Sequence, residues 1–182
     1  MFDFSIQDNG YFGWNSASLL WEDFLPIASG ESKVRITQKL IEDAQEKGAT
    51  VVGFLDDKIY ALAGFAGCPA ILGSVEDWGV GADVQYVCAV GDSWMRVKCA
   101  ALIEGKGGVF TSIVHPTAYM GPSVKMGAGC VVFPFAVEDC DLATDRHVIA
   151  NVHSLVAHDC VLQDCATHFS YCAYWRSDCV SS

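Results

Sequence analysis

His158, Asp159 and Cys160 stand side by side in a chain that carries five histidines and nine cysteines. Three chemistries use these residue types. An imidazole titrating near neutrality can move a proton, a thiol beside it can act as a nucleophile, and histidines with cysteines can ligate a metal ion. Which of them applies depends on which side chains the fold turns the same way, so the elements that carry these residues come first.

Ten positions six residues apart, Ala118, Val124, Cys130, Ala136, Leu142, Val148, Ser154, Cys160, Ala166 and Cys172, all hold small or medium, mostly apolar side chains. A period of six fits neither an amphipathic helix nor a lone strand. It fits a parallel β-helix of triangular section, with one short strand per hexad and three hexads per coil. Gly121, Gly127, Asp139, Asp145 and Asn151 recur three places after the inward position, where tight corners are expected to need residues tolerant of unusual φ/ψ. Phe133, Ala157 and Gln163 interrupt that second pattern.

This geometry sorts the chemistry. Residues six apart lie on adjacent faces of the triangle, whereas residues eighteen apart stack roughly 4.8 Å from one another. His147 and His153 therefore do not converge within one chain. His158 stacks over Cys140, Asp159 over Asp141, and His147 under Cys165, which gives pairs where a structural zinc usually takes four ligands. Cys165, His168, Cys172 and Cys179 occupy varied phases, so no metal is expected; the remaining form is a histidine cluster shared between chains. Cys160 is two residues from His158, but its hexad phase points the sulfur into the core. It reads as a filler, like Cys130 and Cys172, rather than as a nucleophile. Buried thiols on a repeat, odd in number, also argue against a disulfide framework.

The chain of 182 residues is 52% hydrophobic and has a formal net charge of −11 with a pI near 4.6. Eleven scattered Lys and Arg supply no basic surface for phosphate backbones or anionic membranes, so nucleic acid and membrane partners are not expected. The N-terminal MFDFSIQDNG shows no basic region followed by an apolar core. The apolar run from Ile59 to Gly73 is short for a membrane span and contains Pro69. A cytoplasmic location is expected.

Upstream of the hexads, residues 1–24 hold seven aromatics without a clear period, and no role is assigned to them. LPIAS at 25–29 reads as a strand, KVRITQKLIEDAQEKG at 33–48 as a helix with Gly48 at its C-cap, and TVVGFLDD at 50–57 as a buried strand. ADVQYVCAVGD at 82–92 and SWMRVKCAALIEGKGG at 93–108 add a third strand and a second helix. That alternation predicts a small parallel α/β domain over 25–112, followed by the β-helix over 113–182.

VVGFLDD (51–57), CAVGD (88–92), IVHPTA (113–118) and NVHSLVAHDCVL (151–162) together resemble the sugar O- and N-acetyltransferases of the sialic-acid and bacillosamine type, over about residues 28–168. The resemblance implies a Rossmann-like α/β N-terminal domain that binds a nucleotide-sugar, followed by a left-handed parallel β-helix of hexapeptide repeats. It implies acetyl-CoA as co-substrate, a nucleotide-sugar or sugar acceptor, and a homotrimer. His158 becomes the general base that removes a proton from the attacking amine or hydroxyl, and Asp159 the neighbouring acid that increases its basicity, with direct transfer and no acyl-enzyme. The acceptor's nucleotide would lie against Ser29, Gly30 and Glu31, with Asp56, Asp57 and Gly91 as further contacts.

The chain departs from the family at several of these points. Glu31 stands where the family has a histidine, and Ile27 where a glycine is expected. The family's coenzyme-contacting histidine falls, by ungapped counting, on Thr167; a local bulge would restore His168 to that role. The hexads fade after Cys172, short of the further rungs of the family. A catalytically impaired protein of the same fold, binding a sugar-nucleotide or serving as an oligomeric scaffold, is the alternative reading. A metal-dependent hydratase on the same helix type is a third.

Overall fold

The structure, a computed structural model, describes residues 23–27, 39–40, 50–58, 69–81 and 84–175. The chain divides into two compact units between Thr111 and Ser112.

The first unit is built on a six-stranded sheet in which every pairing is parallel: β1 (Asp23–Ile27), β2 (Thr50–Val51), β3 (Phe54–Leu55), β4 (Ile71–Gly73), β5 (Val84–Cys88) and β6 (Val109–Phe110). The order is β4-β3-β1-β5-β6, with β2 also paired to β1. The apolar run expected as one strand at 50–57 is broken into β2 and β3. Gly53 lies between them, and a Cβ there would sit 2.5 Å from Leu72 Cγ and 3.0 Å from Ala70 O. The neighbouring chain can approach that closely only because the side chain is absent. Phe54 N–H donates to Ala70 O at 2.9 Å and leads into β4, a strand that the sequence reading did not contain.

Helix α1 (Ser93–Gly105) follows β5. The Asp92 carboxylate caps it by accepting the Met95 N–H at 2.8 Å, and Gly107, at φ +87, follows its last turn. Its inner face, Cys99, Ala100 and Ile103, packs with Ile27, Leu55, Tyr86, Cys88, Val90 and Phe110 into one apolar core. Of the helix expected at 33–48, residues 39 and 40 are described, both helical; Gly48 and most of residues 1–24 lie outside the described residues. No helix among the described residues is long and apolar enough to cross a membrane.

The second unit is a triangular parallel β-helix. Its strands are two residues long and six apart: β7 (Ile113–Val114), β8 (Tyr119–Met120), β9 (Lys125–Met126), β10 (Val131–Val132), β11 (Val137–Glu138), β12 (Ala143–Thr144), β13 (Ile149–Ala150), β14 (Leu155–Val156), β15 (Val161–Leu162), β16 (Thr167–His168) and β17 (Ala173–Tyr174). They form three faces, β7-β10-β13-β16, β8-β11-β14-β17 and β9-β12-β15, with each strand paired to the one eighteen residues on. The inward hexad positions Cys130, Ala136, Leu142, Val148, Ser154, Cys160 and Ala166 are buried, whereas Cys172 is half-buried.

Two features differ from the expectation. A second inward series, two residues after the first, runs Val132, Glu138, Thr144, Ala150, Val156, Leu162 and His168, all buried. Each strand thus turns both flanking positions inward, so the core is wider than one residue per hexad. The corners, moreover, carry their left-handed residue just before the inward position: Ser123, Phe135, Asp141, His147, His153, Asp159, Cys165 and Tyr171 have φ between 54° and 64°. Gly121 and Gly127 serve another purpose. A Cβ at Gly121 would lie 2.7 Å from the Asp139 carbonyl carbon, and one at Gly127 2.6 Å from Asp145 O, so these glycines let successive corners stack.

Candidate functional site

His158 and Asp159 form the turn between β14 and β15. Asp159 takes the left-handed conformation at φ 59, and its N–H reaches back to the previous coil, donating to Cys140 O at 3.4 Å. The His158 Nδ1 and Asp159 Oδ2 lie 2.9 Å apart, with the side chains 49% and 53% exposed. An ionised carboxylate only accepts, so Nδ1 carries the proton in this pair. In the neutral imidazole the lone pair is then on Nε2, ready to take a proton from a bound group. The arrangement suits a general base held in one tautomer.

Cys160 follows this pair but lies in the prism core with Val148, Val156 and Leu162, out of reach of a substrate at the surface. Burial pushes the Cys130 thiol up to about 11. The seven described cysteines form no disulfide. Among the described residues no three His, Cys, Asp or Glu side chains are grouped to hold a metal ion.

His168 requires a correction. The register from β13 to β16 is uninterrupted, Ile149 opposite Thr167 and Ala150 opposite His168, so no bulge turns the side chain outward. The imidazole is 0% exposed, tilted against the Tyr174 ring at 4.3 Å between centroids, with neither nitrogen hydrogen-bonded. Burial pushes it down to about 4, so it is neutral near pH 7. It faces the core rather than the surface. Five places earlier in the same inward series lies a residue that sequence reasoning missed, Glu138. It is 1% exposed, and its Oε2 has no hydrogen-bond partner.

In the first unit, parallel pairing brings Asp56, Asp57 and Gly91 to one edge. The last residue of β1, Ile27, is paired with Leu55 on one side and Cys88 on the other, and Ala89 N–H donates to Ile27 O at 2.8 Å. Asp56 and Asp57 follow β3, and Gly91 follows β5, so both segments leave the carboxyl edge of the sheet on either side of β1. The chain reverses its direction of travel across the sheet at β1, the place where open parallel sheets form ligand crevices. Asp56 is 6% exposed; its Oδ1 accepts the Lys58 N–H at 2.8 Å, while Oδ2 is buried without a hydrogen-bond partner. Asp57 is exposed. Ser29, Gly30 and Glu31 lie outside the described residues.

No family model matches the chain. Among solved structures it is similar to the acetyltransferase domain of PglB from Neisseria gonorrhoeae FA1090, at 24% identity and TM-score 0.69, covering 79% of this chain and 69% of that one. The same domain in complex with acetyl coenzyme A matches at 23% identity and TM-score 0.68, with the same coverage. PerB from Caulobacter crescentus, in complex with CoA and GDP-perosamine, matches at 26% identity and TM-score 0.63, covering 83% of this chain and 70% of that one. The resemblance carried by IVHPTA and NVHSLVAHDCVL thus holds in three dimensions: the chain has the fold of the left-handed β-helix sugar acetyltransferases.

Proposed function

We propose that this protein is an acetyl-CoA-dependent acetyltransferase that acts on an amine or hydroxyl of a nucleotide-linked sugar, with His158 as general base and Asp159 as the residue that orients it. The observation that carries the reading is the His158–Asp159 pair, joined at 2.9 Å and half-exposed on a prism turn. Support comes also from neighbours of the same architecture solved with acetyl coenzyme A or with CoA and GDP-perosamine. The acceptor's amine or hydroxyl attacks the thioester carbonyl while Nε2 takes its proton. The tetrahedral intermediate then collapses, expelling the CoA thiolate, to which the imidazolium returns the proton. No covalent enzyme intermediate is needed.

In this reading the parallel sheet of Trp21–Thr111 is a Rossmann-like unit that binds the nucleotide at its carboxyl edge, near Asp56, Asp57 and Gly91. The β-helix supplies acetyl transfer. It associates as a homotrimer through prism faces such as β8-β11-β14-β17, where Tyr119 is exposed beside the corner stack of Phe135, His153 and Tyr171, whose rings lie 5.0 and 5.1 Å apart. A cytoplasmic setting would supply the acetyl-CoA.

Calorimetric titration with acetyl-CoA, followed by a thiol-release assay over a set of nucleotide-linked amino and neutral sugars, tests the activity. Saturable binding and acceptor-dependent release of CoA are expected. A protein that binds no acetyl-CoA would sink the proposal and leave the impaired, non-catalytic protein in its place. That alternative draws its support from the buried His168. Light scattering tests the assembly, and a stable monomer at micromolar concentration would refute the trimer.

A further inference from the structure

Beneath the turn that joins β5 to α1 lies a charged side chain that neither the apolar core nor helix capping accounts for. Arg96 is 0% exposed. Its Nη1 donates to Val90 O at 2.6 Å and to Gly91 O at 3.4 Å, and its Nη2 approaches Ser93 Oγ at 3.4 Å. Removing a guanidinium from water is costly unless hydrogen bonds replace the water. Here the bonds fall on consecutive main-chain carbonyls of one turn, while the Arg96 N–H opens the helix ladder by donating to Asp92 O at 2.9 Å.

The peptide plane gives these bonds a direction. In a trans peptide the N–H points opposite to the C=O of the same unit. With Val90 O drawn down onto Arg96, the Gly91 N–H faces away from the guanidinium. The weaker bond to Gly91 O orients the Asp92 N–H in the same sense. Both donors stand at the amino end of α1, where the helix dipole favours negative charge. The buried, unpartnered Oδ2 of Asp56 lies on the same sheet edge, as an acceptor for a ligand's donor group.

We propose that Arg96 is a positioning residue for the nucleotide end of the acceptor: from inside the unit it fixes the Val90–Gly91 peptides so that the Gly91 and Asp92 amides meet a diphosphate. It does not touch the ligand. This rests on the reading of the first unit as a nucleotide-sugar-binding unit, and the experiment separates the two ideas.

GDP and UDP are titrated calorimetrically into wild type, Arg96→Ala and Arg96→Lys, with acetyl-CoA binding as the reference for the β-helix unit. Alanine is expected to weaken the nucleotide that wild type binds by about tenfold or more, the size of a lost charge-assisted hydrogen bond, and to leave acetyl-CoA affinity unchanged. Lysine, which keeps the charge but not the two-point fork, should fall between them. Guanidinium ion at non-denaturing concentration should restore part of the loss in Arg96→Ala by filling the vacated site; loss of packing alone would show no such rescue. If Arg96→Ala fails to fold, Arg96→Lys decides. Wild-type nucleotide affinity in the folded variants overturns the role of Arg96 while leaving the nucleotide reading intact. A wild-type protein that binds neither GDP nor UDP overturns that reading, and this inference with it.

Discussion

Replacing Glu138 by Gln should make the protein less sensitive to alkali, and the size of the effect follows from where the side chain lies. Glu138 is in the prism interior, stacked between Met120 and Val156 of the adjacent coils. Burial pushes its carboxyl from 4.5 up to about 8. The nearby Cys130 thiol, itself held neutral by burial, brings no compensating charge. Between pH 4.5 and about 8 the unfolded chain has released this proton and the folded chain still holds it. The folded state therefore binds more protons, and stability falls as pH rises through that window by about 1.4 kcal/mol per pH unit. Over the whole window the loss reaches about 5 kcal/mol, a large fraction of what holds a domain folded. Glutamine keeps the shape and does not titrate; its unsatisfied amide costs about 1–3 kcal/mol at every pH. Urea unfolding of both proteins at pH 5, 6, 7 and 8, followed by circular dichroism, should give curves that cross: wild type at least as stable at pH 5, Glu138→Gln more stable at pH 8. His168 acts on the opposite side. Its folded value, about 4, lies below the unfolded 6.5, so its contribution is complete above 6.5 and is lost as pH falls toward 4. The two slopes oppose each other between 4.5 and 6.5, and Glu138→Gln should leave only the acid limb. A stability difference between the two proteins that does not change with pH would refute the reasoning.

Three other outcomes are expected. Under the proposed mechanism His158→Ala lowers kcat by about 10²–10⁴-fold in a thiol-release assay while nucleotide-sugar affinity hardly moves; wild-type turnover would exclude His158 as the base. Asp159→Asn, which keeps a residue tolerant of φ 59, allows the amide to donate to Nδ1 and move the ring proton to Nε2; a smaller loss of about 10–10²-fold in kcat is expected, and an unchanged kcat would show the pair to be incidental. Gly121→Ala sets a Cβ 2.7 Å from the Asp139 main chain and should lower stability by about 1–3 kcal/mol, read as a fall in Tm; an unaltered melt would mean that the corners have room to spare.

The hexad phase was legible because a narrow prism leaves few choices: Cys130, Leu142, Val148 and Cys160 are small or unbranched at the β-carbon or simply compact, and each is buried. The eighteen-residue stacking that set Asp159 over Asp141 follows from the same count. What the count could not show is that each strand turns two positions inward, because Glu138 and His168 occupy the second series with side chains that composition assigns to the surface. No spacing rule distinguishes a buried acid from an exposed one. The left-handed corners escaped for a related reason. Their φ values are imposed by coil closure, and they fall on Phe135, His147 and Tyr171 as readily as on Asp141 and Asp159, so residue type does not mark them.

The same distinction separates the candidate site into what sequence can and cannot place. His158 and Asp159 are adjacent in the chain, and a corner that forces φ 59 on the second brings its carboxylate to the ring of the first; local geometry alone makes that pair. Asp56 and Gly91 are 35 residues apart and follow strands on opposite sides of β1, so their common edge exists only once the parallel order β3-β1-β5 is formed. Arg96 depends on a further step. Its role becomes visible only when the guanidinium is seen pointing inward at the carbonyls of Val90 and Gly91, since an arginine on the first turns of a helix ordinarily reads as a solvated charge. The further a function depends on tertiary placement, the less of it composition and spacing contain. The His158–Asp159 pair is accordingly the part of the candidate site that lies closest to the sequence, and the proposed shaping of the Val90–Gly91 turn by Arg96 the part that required the fold.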